Sequence, residues 1–147
     1  MNYLNTDRPD IAFAVKELAR KMCKPNAEDE QRVKRLARYL KGNPRAVMWY
    51  RYQDMPDYIQ GFTDSDWAGC RRTRQSTSGG TIMFGSHYLK GWSKTQATRA
   101  LSSAEAELYA TVKASAEIIG MISIYRDFGI TIKGSVLEDA NAALGMI

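Results

Sequence analysis

The feature that most restricts this chain is one long helical stretch, ALSSAEAELYATVKASAEIIGMISIYRDFG, set between short strand-like runs on either side. It opens on serines and stops at Gly129, and Leu108, Val112, Ile119 and Ile122 form its expected apolar stripe. A long helix with strands before and after it is a crossover. It lets the strand that follows pair in parallel with one that precedes.

Before the helix come AVMWYRY, DYIQGFT, GGTIMFG and HYLKGWS, rich in aromatic and β-branched residues. Pro56, the polar loop DSDWAGCRRTRQSTS and Gly85-Ser86 separate them, so they read as closely joined strands of an antiparallel meander. After the helix, ITIKGSVLED reads as a further strand and ANAALGMI as the start of another helix. Residues 1–45 differ in character and read as two helices. The first follows Pro9 with Ile11, Val15, Leu18 and Met22 at helical spacing, until Lys24-Pro25-Asn26 ends it. The second runs from Glu28 to Gly42, acidic at its start and basic at its end, as a helix dipole favours. Its stripe is Val33, Leu36, Ala37 and Leu40; Arg32, Lys34, Arg35 and Arg38 read as a solvated face. The division is therefore a helical segment, 1–45, and a sheet-containing domain, 46–147.

Charge narrows the partners only modestly. The net charge is +5, and the excess lies early: residues 1–60 hold 12 Lys/Arg against 8 Asp/Glu, residues 61–147 hold 9 against 8. Such a balance is compatible with a polyanionic partner. Cys23 and Cys70 stand alone, so neither a disulfide framework nor a zinc knuckle is expected. The apolar run Ile118–Ile124 is too short to span a bilayer, and MNYLNTDRPD lacks the regions of a signal peptide. The expectation is an intracellular protein with no membrane partner.

The carboxylates carry the chemistry. Asp64 and Asp66 end one strand, Glu105 and Glu107 lie in the first turns of the long helix, and Asp139 ends the last strand. If the strands of Asp64 and Asp139 are parallel neighbours, their ends lie together, and a helix packed across that edge adds a glutamate. Ser102-Ser103-Ala104-Glu105 has the capping-box pattern, which gives Glu105 the local task of reaching back to the amide of the capping serine. Glu107 lies about 200° further round the helix, at about 100° per residue, and is the functional candidate. Asp64 is nearer the strand proper and is preferred, although alternate strand residues share a face and Asp66 stays an alternative. Converging carboxylates repel one another unless cations bridge them, and an oxygen-only set suits magnesium or manganese. Two such ions about 3.5–4 Å apart stabilise both the attacking and the leaving oxygen in phosphodiester cleavage.

Beyond this reading, the run from YIQGFTDSDWAGC to ELYATVKASAE closely resembles the ribonuclease H domain of copia-type retrotransposon Pol polyproteins. Four ordered motifs carry the resemblance: D-x-D-W-A-G, R-x-S-T-S-G, W-S-K-x-Q and L-S-S-x-E-A-E. YLNTDRPDIAFAV and ARYLKGNP resemble the tail of the reverse transcriptase region that precedes that domain. The resemblance implies an α/β fold: a ribonuclease H-like mixed sheet, a three-strand antiparallel meander plus a parallel strand, with a long crossover helix and two short helices in front. It implies Asp64, Glu107 and Asp139 as catalytic metal ligands for two Mg²⁺ ions, with Mn²⁺ as substitute. The implied reaction is hydrolysis of the RNA strand of an RNA-DNA hybrid by an activated water during reverse transcription. Implied partners are the hybrid and the rest of the Pol polyprotein, reverse transcriptase and integrase, in the cytoplasm (virus-like particle) or nucleus.

Two departures temper these expectations. Family members place asparagine directly after the second aspartate, whereas here the order is Asp139-Ala140-Asn141. They also continue through a helix, a histidine-bearing loop with a fourth metal-site residue, and a final helix, whereas this sequence ends at Ile147. The carboxyl-terminal part of the fold is therefore expected to be missing, with one metal held more weakly. The competing expectation is a catalytically inactive remnant that binds nucleic acid or acts as a scaffold. Arg74, Ser76, Thr77, Ser78, Trp92, Ser93 and Lys94 are the candidates for contact with the hybrid, with Arg71 and Arg72 beside them. The competing expectation is a turn for Gln75–Gly80 and packing for Trp67 and Trp92. His87 reads as an ordinary surface or packing residue.

Overall fold

The computed structural model describes residues 3–138, the side chain of Thr6 excepted. The chain divides into two compact units, Met1–Met48 and Trp49–Ile147. Asp139 and the helix expected over 140–147 lie outside the described residues.

The first unit is helical. It contains α1 (Leu4–Asp7), one 3-10 turn (Pro9–Ile11), α2 (Ala12–Ala19) and α3 (Ala27–Gly42). The single helix expected from Pro9 to Lys24 is shorter. A residue before proline is pushed out of helical conformation, and Arg8, at φ −130° and ψ 75°, breaks the chain there. Helix α2 then ends at Ala19, and Met22 lies in the following turns with 69% of its surface exposed. Ile11, Val15 and Leu36 form the core, with Ala14, Leu18 and Leu40 packed against it. Asn26 caps α3 by accepting from the Asp29 amide, and the Asp29 carboxylate accepts from the Asn26 amide in return. Buried Arg8 donates to both Asp10 carboxylate oxygens, at 2.9 and 2.8 Å, and to the Asn43 carbonyl at 2.9 Å. The Tyr39 hydroxyl donates to Asp10 as well. Together the guanidinium and the phenol hold the Asp10 carboxyl at about 2, below its usual 3.8.

The second unit is an α/β sheet structure with β1 (Tyr58–Asp66), β2 (Thr77–Phe84), β3 (His87–Thr95), α4 (Ser103–Asp127) and β4 (Lys133–Leu137). The strand order is β3-β2-β1-β4. Strand β1 is antiparallel to β2, β2 is antiparallel to β3, and β4 joins β1 in parallel after the α4 crossover. This is the mixed sheet expected from the sequence. Gly85, at φ +58°, makes the tight turn between β2 and β3.

The run AVMWYRY is not a strand. Residues 43–56 are irregular, and Trp49 and Tyr52 are exposed. Side chains tie the segment to the β2–β3 hairpin: the Gln53 amide donates to the Phe84 carbonyl, Gln53 Oε1 accepts from the Ser86 amide and hydroxyl, and the Tyr50 hydroxyl donates to the Tyr88 carbonyl. Aromatic enrichment signals a strand only where a sheet surface is there to receive the rings. His87 serves the same tie, since its Nε2 faces the Arg51 carbonyl at 2.7 Å and its Nδ1 faces the Gln53 amide at 3.1 Å.

Helix α4 packs on the sheet through small residues. Ala104, Ala106, Ala110, Ala114 and Ile118 are buried, whereas Val112 and Ile119, expected in the stripe, are 59% and 63% exposed. The sheet explains the substitution of stripes. Gly61 and Gly134 face Ile118, and a Cβ on Gly61 would stand 2.7 Å from Ile118 Cδ1. Glycines under Ile118 and alanines along the same face of the helix let it sit close, while Ile122, also expected in the stripe, packs against the core. Ile59, Ile82, Phe84, Ile118 and Ile132 form the core beneath it.

Candidate functional site

Where α4 begins is fixed by two contacts along its length. Ile118 lies over Gly61 and Gly134 in the middle of β1 and β4. Thr111, seven residues earlier and so about 10 Å back along the helix, bonds to the Glu138 carboxylate at 2.6 Å. Glu138 is four residues beyond Gly134, about 13 Å along the strand direction. Helix α4 therefore runs antiparallel to β1 and β4, and its first turns lie at the ends of those strands. Asp64 lies at that same end, two residues past Phe62, whose parallel partner is Leu137.

Asp64 and Glu107 thus share one end of the sheet but come from different sides of it. Along β1, Ile59, Gly61 and Thr63 are buried, while Phe62, Asp64 and Asp66 alternate with them and are exposed. Asp64 is in register with Gly79, which in turn faces Ser93 on β3. A Cβ on Gly79 would meet nothing within 4 Å, so the surface beside Asp64 is open. Glu107 is half-buried in the second turn of α4, and its carbonyl is 3.0 Å from the Thr111 hydroxyl. Asp139 lies outside the described residues. The last described residue before it, Glu138, reaches Thr111, one helical turn from Glu107.

The neighbouring carboxylates have local contacts. The exposed Asp66 carboxylate lies over Gly69, where any side chain would collide with it. Glu105 accepts from the Leu101 amide at 2.6 Å and from the Tyr109 hydroxyl at 3.2 Å. The Ser102 hydroxyl accepts from the Glu105 amide, as a cap should, but the glutamate reaches the amide before the serine rather than that of the serine itself.

Several residues expected to meet nucleic acid turn inward. Ser76 is fully buried, and its hydroxyl accepts from the Ala68 amide at 3.0 Å, closing the loop between β1 and β2. Ser78 is buried and accepts from the Gln96 side chain, and Thr77 is 6% exposed. Trp92 is half-buried, covers Gly80, packs against the core and has the Lys113 ammonium 5.4 Å from its ring centre. Lys113 and Lys90 both pair with Glu117, and hydrogen bonds from Lys90 and then Lys113 hold that carboxyl below its ordinary range. Trp67 donates from its indole to the Ala100 carbonyl at the rim. Arg71, Arg72, Arg74, Lys94 and Arg99 remain exposed, and Ser93 is half-exposed. The sequence reading passed over Gln96 and Glu138. For Gln96 the signal was its place within W-S-K-x-Q, and for Glu138 a second acid beside Asp139.

The donor chemistry at this end suits a hard divalent cation. Asp64 and Glu107 offer carboxylate oxygens, and the chain's single histidine sits at the hairpin end. Among the described residues no three His, Cys, Asp or Glu side chains gather as a ligand set, and the third expected carboxylate is the undescribed Asp139.

No protein-family model matches the chain, and no solved structure matches it. Curated sequences do. It is similar to an uncharacterized mitochondrial protein of Arabidopsis thaliana, 36% identical over 118 residues that make up 80% of this chain and 49% of that protein. It is similar to the retrovirus-related Pol polyprotein from transposon RE1 of the same plant, 33% identical over 130 residues, 88% of this chain and 9% of the polyprotein. It is also similar to secreted RxLR effector protein 161 of Plasmopara viticola, 34% identical over 112 residues, 76% of this chain and 78% of that protein. The chain spans about half the length of the first relative and about a tenth of the Pol polyprotein.

Proposed function

From the similarity of the chain to segments of retrovirus-related transposon Pol polyproteins, we propose that its second unit is a ribonuclease H-like domain that hydrolyses the RNA strand of an RNA-DNA hybrid. The helical first unit is then a remnant of the reverse transcriptase region. The observation that carries the reading is the antiparallel run of α4 over β1 and β4, which sets the Glu107 turn at the strand ends where Asp64 stands. Asp64, Glu107 and Asp139 would hold two Mg²⁺ ions, which when bound supply charge neutralisation for the attacking and leaving oxygens. The chain's own residues do the rest. The open surface over Gly79 leaves room for a phosphate backbone beside Asp64, and exposed Arg71, Arg72, Arg74 and Lys94 offer cations to its neighbouring phosphates.

A labelled hybrid incubated with the chain in Mg²⁺ or Mn²⁺ tests this. Cleavage is expected, with Asp64→Asn reducing it by at least about 100-fold and Asp66→Asn leaving most of it. Undiminished cleavage by Asp64→Asn refutes the assignment. A second reading, nucleic-acid binding without turnover, rests on the exposed cations Arg71, Arg72, Arg74 and Lys94 alone. It expects salt-sensitive hybrid binding and no product at any metal concentration.

A further inference from the structure

We propose that Gln96 is a positioning residue for Glu107, acting through the peptide group that precedes it; this rests on the nuclease reading above and deepens it. Gln96 lies just past β3 and is 8% exposed. Its backbone amide donates to the Ser76 carbonyl at 2.9 Å. Its side-chain amide uses both hydrogens, one toward Ser78 Oγ at 2.9 Å and one toward the Ala106 carbonyl at 2.7 Å. Ala106 is fully buried and is bonded directly to Glu107. One side chain therefore joins the start of β2, the end of β3 and the turn of α4 that carries the glutamate. The amide can stand only this way round, because the reverse would set Oε1 against the Ala106 carbonyl, acceptor against acceptor. The consequence is that Gln96 Oε1 is buried with no hydrogen-bond partner. An unmet acceptor costs stability and calls for a reason.

The alanine stripe supplies the reason. A helix that meets its sheet through Ala104, Ala106, Ala110 and Ala114 has few large side chains there to resist rotation about its axis. Rotation matters little for alanine packing and a great deal for Glu107. A carboxylate roughly 6 Å from the axis moves about 1 Å for a 10° turn, and a ligand set tolerates roughly 0.2–0.5 Å. A directional bond to the Ala106 carbonyl fixes that angle at the residue next to the glutamate. It also accounts for three of the sequence motifs at once: Ser76 and Ser78, Gln96, and the helix start containing Glu107 are joined by the bonds just described.

The test is Mn²⁺ binding to the full chain, measured by titration calorimetry without nucleic acid, at a temperature where thermal unfolding shows each variant folded. Gln96→Met keeps the size of the side chain and removes both bonds. It is expected to weaken Mn²⁺ binding about tenfold, the usual loss when a residue behind a metal ligand is removed, while hybrid binding in chelator is unchanged. Ser78→Ala, which removes one bond and is the milder variant should Gln96→Met not fold, is expected to weaken binding two- to threefold. Ile122→Ala, which thins the core at the other end of α4, is expected to lower stability and leave Mn²⁺ affinity alone. Wild-type affinity in Gln96→Met or Ser78→Ala overturns the proposal while the nuclease reading stands, as does an equal loss in Ile122→Ala. A wild-type chain that binds no Mn²⁺ refutes the nuclease reading and this proposal with it.

Discussion

The close seating of α4 on β1 makes a quantitative prediction. In Gly61→Ala the new methyl would stand 2.7 Å from Ile118 Cδ1, with Ile118 Cγ1 at 3.5 Å and the Ala114 methyl at 3.9 Å in ordinary contact. Only the terminal methyl of Ile118 is in the way, so overpacking should cost about 1 kcal/mol, the low end of its range. The stiffer unfolded chain returns about 0.5 kcal/mol, leaving about 0.5 kcal/mol of net loss. Ile118→Val removes that terminal methyl from a residue 3% exposed and should cost about 1 kcal/mol. Additive effects would put the double variant about 1.5 kcal/mol below wild type. The structure instead expects the alanine methyl to occupy the vacated space, so the double variant should lie within about 0.5 kcal/mol of wild type, a coupling of about 1 kcal/mol. Urea unfolding followed by tryptophan fluorescence is the assay. Trp49, Trp67 and Trp92 are the chain's three tryptophans and all belong to the second unit, so the signal excludes unfolding of the first. Costs that simply add, within about 0.3 kcal/mol, would refute the inferred contact.

Other outcomes follow from single bonds. Ser76→Ala leaves the buried Ala68 amide without its acceptor and should destabilise the second unit by about 1–3 kcal/mol, read by the same fluorescence transition; a loss under about 0.5 kcal/mol would mean that water reaches the loop. In the first unit, Asp10 is held at about 2 against 3.8 when unpaired, so its contribution is complete above about pH 4 and is lost as pH falls toward 2. The stability difference between wild type and Asp10→Asn, read from far-ultraviolet circular dichroism, should shrink across that window. A difference that is constant from pH 5 to pH 2 would contradict the pairing with Arg8.

Much of the fold was legible because its signals are local. The long helix declared itself through its length, its Ser102 cap and Gly129, and the β2–β3 hairpin through Gly85-Ser86 between two aromatic runs. What sequence could not give was the choice of α4's inner face. Pattern reading favours the largest apolar residues, and it chose Val112 and Ile119. The chain set alanines in line with Ile118, whose side chain fills the space left by Gly61 and Gly134. That choice depends on residues of β1 and β4, outside the helix, which no periodicity within the helix reports. The exposed aromatics near Trp49 misled in the same manner, since a strand needs a sheet edge as well as a propensity.

The carboxylates show the limit more sharply. Alternation along β1 puts Asp64 and Asp66 on one face and cannot rank them. The structure puts them in different surroundings: the Asp66 carboxylate lies over Gly69, and Asp64 lies in register with Gly79, over which the surface is open. For Glu105, helical geometry pointed to a local task at the helix start, and the task found is to accept from the Leu101 amide rather than the Ser102 amide. Hence a residue's structural duty is readable from sequence when its partner lies within a turn, as for Glu105 and Leu101. It is hidden when the partner arrives from another element, as for Gln96 and Ala106. Both kinds of duty must be assigned before any carboxylate at this end of the sheet is tested as a metal ligand, which is why the substitutions at Asp64 and Asp66 are read side by side.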